Sequence, residues 1–271
     1  MRRKSGIALI LTFIMLISLT AITVAFLYMS SVQAKVMGYD IAASKALWLA
    51  EAGLQKAIWN LMTPVSSGGQ GEGWVTAGTT ESLSDGNYAM VVERWDFALA
   101  DNGASASATS QQGGNGPAKA IDGSNGTFWQ GDTPSIAVPQ EITAAFPYPL
   151  TINKVRFLSS VAARRPRDYS WRVSSDGIIY TTVVNITNNN SLDVTDTFTA
   201  VSNVSYLKLS ITANGGGSGV RVAVLEGIGT KITSTGQMSS LSRKIEQTVV
   251  ADDASLTAFN QKDWNEIVPA S

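Results

Sequence analysis

The sequence predicts an α+β protein with three parts: a long N-terminal helix, a small antiparallel β-sheet unit, and an all-β sandwich inserted into that unit. Three observations support this prediction. An apolar N-terminal segment continues directly into a segment with helical periodicity. Short alternating apolar runs recur between residues 101 and 229, a region rich in Ser, Thr, Asn and Gly. Strand-like segments joined by turns lie on both sides of that region.

The N-terminal segment has three basic residues at positions 2–4, followed by a largely apolar, uncharged run over residues 7–29. Such a run is long enough to cross a membrane as a helix, which takes about 20 residues. A secretory signal shares the basic start, and residues 32–34 (VQA) would provide a cleavage site, but its apolar core is about 7–15 residues long. A plain membrane anchor with a cytoplasmic N-terminus fits both the length and the charges.

A third interpretation uses Gly6, the small residue between the basic residues and the apolar run. Cleavage after Gly6 would remove the charges and leave the apolar helix on the mature protein. This arrangement resembles the class III signal of type IV pilins and pseudopilins, which a prepilin peptidase cleaves after such a glycine. The resemblance implies cleavage between Gly6 and Ile7, with methylation of the new N-terminus.

The apolar run continues without a linker into an amphipathic segment. Apolar residues recur there at three- and four-residue steps, which indicates one helix with an apolar stripe. We expect the helix to cover residues 7–62 and to end at Thr63-Pro64, because a residue before proline disfavours the helical conformation. The stripe consists of Val36, Tyr39, Ala43, Leu47, Ala50, Leu54, Ala57 and Leu61.

Residues 46–57 (ALWLAEAGLQKA) resemble the A-E-A-G-L segment of the PilX-like minor pilins and related pseudopilins. The resemblance implies a subunit that packs its N-terminal helix among those of other pilins. Most pilins of this type carry glutamate at the fifth mature position, where this sequence has Leu11. A carboxylate in lipid is costly unless it is paired. In the family this glutamate meets the N-terminal amine of the neighbouring subunit, and the tip pseudopilin of type II secretion lacks it. By that resemblance, Leu11 implies a position at the filament tip or in a priming complex.

Composition restricts the classes of function. The net charge is −1, so nucleic-acid binding has no electrostatic basis. The chain has neither His nor Cys, which excludes Ser-His-Asp and Cys-His nucleophiles and an ordinary zinc site. No pair of carboxylates suggests a glycosidase site, and we expect no enzyme activity. Calcium remains compatible, because it requires only oxygen ligands.

Two strand-like segments flank the inserted region. Residues 84–95 (SDGNYAMVVERW) predict a turn and a strand, and residues 229–251 predict two short strands around a turn at residues 234–236. Together they resemble the head sheet of PilX-like pilins, in which the two pieces are close in sequence. The predicted organisation is a leader (1–6), a membrane and stem helix (7–62), a first head part (63–100), an insert (101–229), and a second head part with a C-terminal tail (230–271), whose residues 252–271 are either docked or disordered.

Five segments of the insert resemble, in order, the discoidin family. This family comprises the jelly-roll sandwich of coagulation-factor C domains and many carbohydrate-binding modules. The resemblance implies an all-β jelly-roll fold with ligand-binding loops at one end. The segments are residues 104–132, 149–158, 165–183, 204–216 and 220–230.

The loop AIDGSNGT is a candidate calcium site, since it combines oxygen donors with glycines that permit tight turns. Resemblance to sugar-binding members of the family implies a structural calcium ion bound by Asp122, Asn125 and Thr127 together with Glu226. The alternative is an Asx-turn, in which Asp122 caps its own loop without metal.

Arg164, Arg165 and Arg167 precede the YSWRV segment and are the candidate ligand-binding residues, because guanidinium groups provide planar hydrogen-bond donors. A solvated loop or a subunit contact explains them equally well. Trp129 and Trp171 are expected in the core, which leaves no obvious exposed aromatic platform for a sugar.

These inferences support a minor pilin or pseudopilin that displays a discoidin-like module for adhesion or glycan binding. It would reside in the inner membrane, with its N-terminus in the cytoplasm, and then enter an extracellular or periplasmic filament. Its partners would be other pilins, a prepilin peptidase and a glycan or surface ligand. The alternative is a membrane-anchored extracytoplasmic carbohydrate-binding protein that is not built into a filament.

Overall fold

The computed structural model describes residues 4–71, 73–83, 86–249 and 265–267, with the backbone alone for residues 4–8 and 265–267. Most of the predicted tail, residues 252–271, therefore lies outside the described residues. The elements are helix α1 (Lys4–Met62) and strands β1 (Thr76–Leu83), β2 (Gly86–Asp96), β3 (Ser105–Ala108), β4 (Trp129–Gly131), β5 (Gln140–Leu158), β6 (Pro166–Ser174), β7 (Thr181–Ile186), β8 (Asp193–Asn214), β9 (Val220–Val222), β10 (Val224–Met238), β11 (Leu241–Val249) and β12 (Asn265–Ile267).

The prediction of a single long N-terminal helix is confirmed. Helix α1 is continuous over 59 residues and ends where Pro64 follows Thr63, whose N–H still bonds to the carbonyl of Trp59 at 2.9 Å. Its large apolar side chains from Leu9 to Ile41 are exposed. Among the described residues it is the one helix long and apolar enough to cross a membrane.

The C-terminal part of α1 packs against an antiparallel sheet in the order β1-β2-β10-β11-β12. Two glycines permit this close packing. A Cβ atom on Gly53 would lie 2.7 Å from the ring of Tyr88, and a Cβ atom on Gly236 would overlap the helix backbone at Ala46 and Ala50. The shared core is formed by Ala50, Leu54, Ala57, Ile58 and Leu61 with Tyr88, Met90, Val92, Ile232, Ile245 and Val249.

The predicted turn at residues 234–236 is wrong. These residues lie inside β10, which pairs with β2 and β11 on its two sides, and the turn lies at Ser239-Ser240. The glycine that suggested a turn, Gly236, instead allows the helix to approach the strand. Glycine in a strand commonly marks such a close approach of another backbone.

The inserted region forms a two-layered β-sandwich. One layer contains β3, the first half of β5, the second half of β8, β6 and β7, whereas the other contains the remaining halves of β5 and β8 with the start of β10. Irregular register between Ala145 and Leu150 marks the bend of β5 between the layers. Across the core, the ring of Phe157 contacts that of Tyr169 edge-on at a centroid distance of 5.0 Å.

Strand β10 belongs to both units, because its first residues pair with β5 and its later residues pair with β2. The chain enters the sandwich beside the point where it leaves, since the N–H of Phe97 bonds to the carbonyl of Gly227 at 2.7 Å. An insertion whose two ends are adjacent disturbs the host sheet little.

Candidate ligand-binding loops of the sandwich

Three loops meet at one end of the sandwich: residues 159–165 after β5, residues 187–192 after β7 and residues 215–219 after β8. We refer to this region as the loop end. The loop after β8 is fastened to the loop after β5, because Gly217 N–H bonds to the carbonyl of Ala163 at 2.7 Å and Gly215 N–H to that of Arg165 at 3.1 Å. The buried amide of Asn214 donates to the carbonyls of Gly217 and Gly219 at 2.8 and 2.6 Å. The loop end is therefore held by many short bonds rather than being loosely attached.

The three predicted arginines do not form one cluster. Arg165 braces the loops, since it donates to the carbonyls of Ala162 and Asn189 and to Oδ1 of Asn190. Arg167 lies within β6, not before it, and pairs with the adjacent Asp168 at 3.1 Å. This pairing lowers the pKa of Asp168.

Arg164 joins three residues that the sequence analysis missed, and together they form what we call the arginine–glutamine cluster: Arg164, Arg221, Gln130 and Phe128. Arg164 Nη1 and Arg221 Nε both donate to Oε1 of Gln130, each at 2.9 Å. The guanidinium carbon of Arg221 lies 4.2 Å from the centre of the Phe128 ring. The two guanidinium groups are thus held side by side above an amide and next to an aromatic ring.

The alternation of apolar and polar residues along β9 could have predicted that Arg221 lies on the surface. Val220 and Val222 are fully buried, so Arg221 between them points away from the core. It lies opposite Gln130 in the β4–β9 pair. Sequence alone could not identify this pairing, because about 90 residues separate the two strands along the chain.

The cluster has an excess of positive charge. Among the described residues, neither Arg164 nor Arg221 forms an ion pair with a carboxylate. The connected acid, Asp132, is reached only through two amides, since Gln112 donates to it at 3.0 Å and Gln130 donates to Gln112. The pKa of Arg221 is lowered, first by burial and then by the neighbouring charge of Arg164.

The two tryptophans expected in the core are buried there, and neither offers a ring face to a ligand. Trp129 and Trp171 are each 0% exposed. The indole N–H of Trp129 bonds to the carbonyl of Ser110, and that of Trp171 to Asp196, both at 2.9 Å. The accessible ring at the loop end is that of Phe128, which is partly exposed.

The candidate calcium loop folds as an Asx-turn. Asp122 accepts bonds from the N–H of Ser124 at 2.9 Å and from the hydroxyl of Thr127 at 2.7 Å. Asn125 lies exposed on the same loop. The described residues contain no group of three or more acidic side chains arranged to hold a metal ion.

Glu226, the fourth predicted calcium ligand, is engaged elsewhere. Its carboxylate accepts from Arg94 on β2 and from Arg156 on β5, the latter at 3.1 Å. Both of its oxygens are therefore occupied by cations, which does not suit a calcium ligand. The four residues as placed do not fit a common metal site.

A groove of about 320 Å³ lies on the outer face of the first sandwich layer, beside Tyr180 and Tyr206. Its charges neutralise one another. Glu141 accepts from Lys208 and Ser210, both at 2.9 Å, and the Lys208 ammonium lies 3.9 Å from the Tyr180 ring centre. The pKa of Glu141 is lowered by these donors despite burial. This groove lacks the uncompensated charge of the arginine–glutamine cluster.

The predicted processing and packing residues lie at the start of α1. Gly6 and Ile7 are within its first two turns, and Leu11 follows with 58% of its surface exposed. Cleavage after Gly6 and a role for Leu11 in filament packing remain predictions.

Comparison with known proteins identifies the sandwich. The F5/8 type C domain model matches residues 104–224. Similar structures include chitosan-binding module 1 of a chitosanase/glucanase from Paenibacillus sp. IK-5 (28% identity, 49% of this chain and 98% of that one, TM-score 0.44), and the family 32 carbohydrate-binding module of Clostridium perfringens NanJ in complex with galactose (20% identity, 50% and 99%, TM-score 0.43).

A third similar structure is the C. perfringens module CpGH89CBM32-5 in complex with GalNAc-β-1,3-galactose (25% identity, 48% of this chain and 97% of that one, TM-score 0.42). No curated protein matches the chain. The matched region begins one residue before β3 and ends at the first residue of β10. The sandwich inserted between β2 and the head part of β10 is therefore an F5/8 type C domain.

Proposed function

We propose that this chain is a membrane-anchored, extracytoplasmic carbohydrate-binding protein whose F5/8 type C domain binds a glycan at the loop end. The observation that carries the proposal is the convergence of Arg164, Arg221, Gln130 and Phe128 on one accessible surface of that domain. Binding sites commonly combine such rigidly held polar groups with an aromatic contact.

The chemistry of the cluster suits a sugar. A guanidinium group presents several N–H donors in one plane, which matches neighbouring hydroxyl groups on a pyranose ring. Phe128 adds an apolar face beside these donors. We propose binding rather than catalysis, in keeping with a chain that contains no His or Cys.

The anchor is proposed to be the first part of α1. Its side chains from Leu9 to Met29 are exposed and mostly apolar, a surface that is unfavourable in water and favourable in lipid. The basic residues at positions 2–4 favour a cytoplasmic N-terminus, and the proposed location of the sandwich outside the cytoplasm rests on that preference.

The test is retention of the full-length chain, in detergent micelles, on a panel of immobilised neutral and acidic glycans. Replacement Arg221→Ala removes a donor of the cluster and is expected to reduce retention at least about tenfold, the loss of one charge-assisted contact. The matched control is Arg167→Ala, which removes an exposed arginine outside the cluster. Absence of retention on every glycan would refute the proposal, provided that circular dichroism shows a folded protein.

The second candidate function is a minor pilin or pseudopilin at a filament tip or in a priming complex. One observation favours it: the helix that carries the exposed apolar segment continues without a break and docks through Gly53 onto a separate sheet. Partners would then be other pilins, through the N-terminal helix, and a prepilin peptidase.

Intact-mass measurement of the chain, expressed with and without a prepilin peptidase, separates the candidates. Loss of residues 1–6 only when the peptidase is present supports the pilin. A chain that keeps its full mass supports the plain anchor. Cleavage after Ala34 would contradict both, because it would release the domain from the membrane.

A further inference from the structure

The two guanidinium groups at the loop end share a single neutral acceptor. Arg164 and Arg221 both donate to Oε1 of Gln130, which is only 7% exposed. A carbonyl oxygen has two lone pairs, so these two bonds use its accepting capacity. Each guanidinium carries five N–H donors, and most of those at this site remain for solvent or a ligand.

Two like charges held side by side repel each other, and their repulsion is strongest where water is partly excluded. At the junction with the head sheet, two arginines share a carboxylate instead: Arg94 and Arg156 are both bonded to Glu226. At the loop end, the described residues supply only amides, one hydroxyl and an aromatic ring to the pair. An anion placed between the two groups would relieve their repulsion and satisfy the remaining donors.

We infer that the loop end selects acidic glycans, and that Arg164 and Arg221 together bind the carboxylate of a uronic-acid residue. This inference rests on the proposed function, since it names the ligand class of the same site. A planar carboxylate matches the fork of a guanidinium and can accept two parallel N–H bonds. Stacking on Phe128 at 4.2 Å fixes the plane of the Arg221 group, so the direction of its free donors is set before the ligand arrives.

The loops around Arg164 support this preorganisation. The Gly217 N–H is bonded to Ala163, and a Cβ atom on Gly217 would lie 3.1 Å from Cγ of Arg164, so the glycine lets the loop lie against the arginine stem. The hydroxyl of Ser218 accepts a long bond, 3.4 Å, from Nη2 of Arg164. The side chain is therefore positioned by its surroundings rather than free on the surface.

The experiment measures binding of full-length protein in detergent micelles to oligogalacturonate and to the same oligosaccharide with its carboxyl groups methyl-esterified. The ester keeps the sugar ring and removes the charge. We expect the acid to bind at least about tenfold more tightly than the ester, and the difference to shrink as salt is raised. Variants Arg164→Gln and Arg221→Gln are each expected to abolish the preference for the acid.

Arg167→Gln is the matched control, because it removes the same charge at the same end of the domain without touching the pair, and it should keep the preference. If the acid and the ester bind equally well, the inference is refuted while the proposed function stands. If neither binds, the inference is refuted, and retention on the panel of neutral and acidic glycans decides whether the proposed function stands. If Arg167→Gln removes the preference as completely as the two cluster variants, general surface charge is responsible and the inference is refuted.

Discussion

Two pairs of arginines of this protein have opposite surroundings. At the junction with the head sheet, Arg94 and Arg156 converge on Glu226, and Arg156 also holds Asp193 through two bonds of 2.6 and 2.8 Å. At the loop end, Arg164 and Arg221 converge on an uncharged amide. Charges that are neutralised within the chain stabilise its structure, whereas charges left unpaired are available to a ligand. The junction with the head sheet is therefore a structural site, whereas the loop end is the candidate binding site.

The largest expected effect lies at the junction and depends on pH. Asp96 accepts from the N–H groups of Ala98 and Gly227 at 2.8 and 3.1 Å, and burial raises its pKa to about 7 against an ordinary 3.8, helped by Glu226 and opposed by Arg94. Between pH 4 and 7 the folded state holds a proton that the unfolded state has lost. The free energy of unfolding should therefore fall as pH rises through this window, by up to about 1.4 kcal/mol per unit.

Urea denaturation of the wild type and of Asp96→Asn at several pH values checks this prediction. The asparagine keeps an oxygen that can accept both N–H bonds but does not titrate. The variant should lose this slope and be the more stable protein at pH 8. Parallel pH profiles for the two proteins would show that Asp96 does not titrate in this range.

The second prediction removes the central cation of the junction. Arg156→Met leaves Glu226, whose side chain is 16% exposed, with Arg94 as its remaining partner. Loss of the more buried cation of this network, whose side chain is 18% exposed, should cost about 2 kcal/mol of unfolding free energy. Arg167→Met, which removes an exposed arginine paired with its sequence neighbour, should cost less than about 0.5 kcal/mol. If urea denaturation shows the same loss of unfolding free energy for both variants, Arg156 does not stabilise the junction more than an exposed arginine does.

The third prediction concerns a variant in which the positive charge of the arginine–glutamine cluster is neutralised. Gln130→Glu gives Arg164 and Arg221 a carboxylate of nearly the same shape at the point where they already converge. We expect a small gain in stability, about 0.5–1 kcal/mol, partly offset by the lost donation to Gln112. Binding of oligogalacturonate should disappear in the same protein. Retained binding in a folded, stabilised variant would contradict the role of the unpaired charges.

Local periodicity predicted the elements whose environment is set by their own segment. The predicted stripe matches the buried face of α1 at Ala50, Leu54 and Ala57, which are at most 3% exposed. Its first two members, Val36 and Tyr39, are 52% and 61% exposed, because that part of the helix lies beyond the head sheet. Alternation in the YSWRV segment predicted that Trp171 lies in the core. Such patterns are reliable because the side chains of one helix or strand point in directions fixed by its own backbone.

Two residues have surroundings that depend on a distant partner. Gly236 suggested a turn, but its purpose is to make room for the backbone of α1 at Ala46 and Ala50. Glu226 suggested a metal ligand, but it faces two arginines from β2 and β5. An isolated glycine or glutamate has several uses, and the sequence around it does not distinguish them.

The sequence by itself determined the long apolar helix, the interruption of one small sheet by a β-rich region, and the likeness of that region to discoidin domains. Each follows from local composition, period or motif. Only the tertiary structure decided which of several arginines carry unpaired charge, because Arg164 and Arg221 meet through loops and strands far apart in the chain. Electrostatic surroundings depend on distances in space, and these become known only when the sandwich has closed.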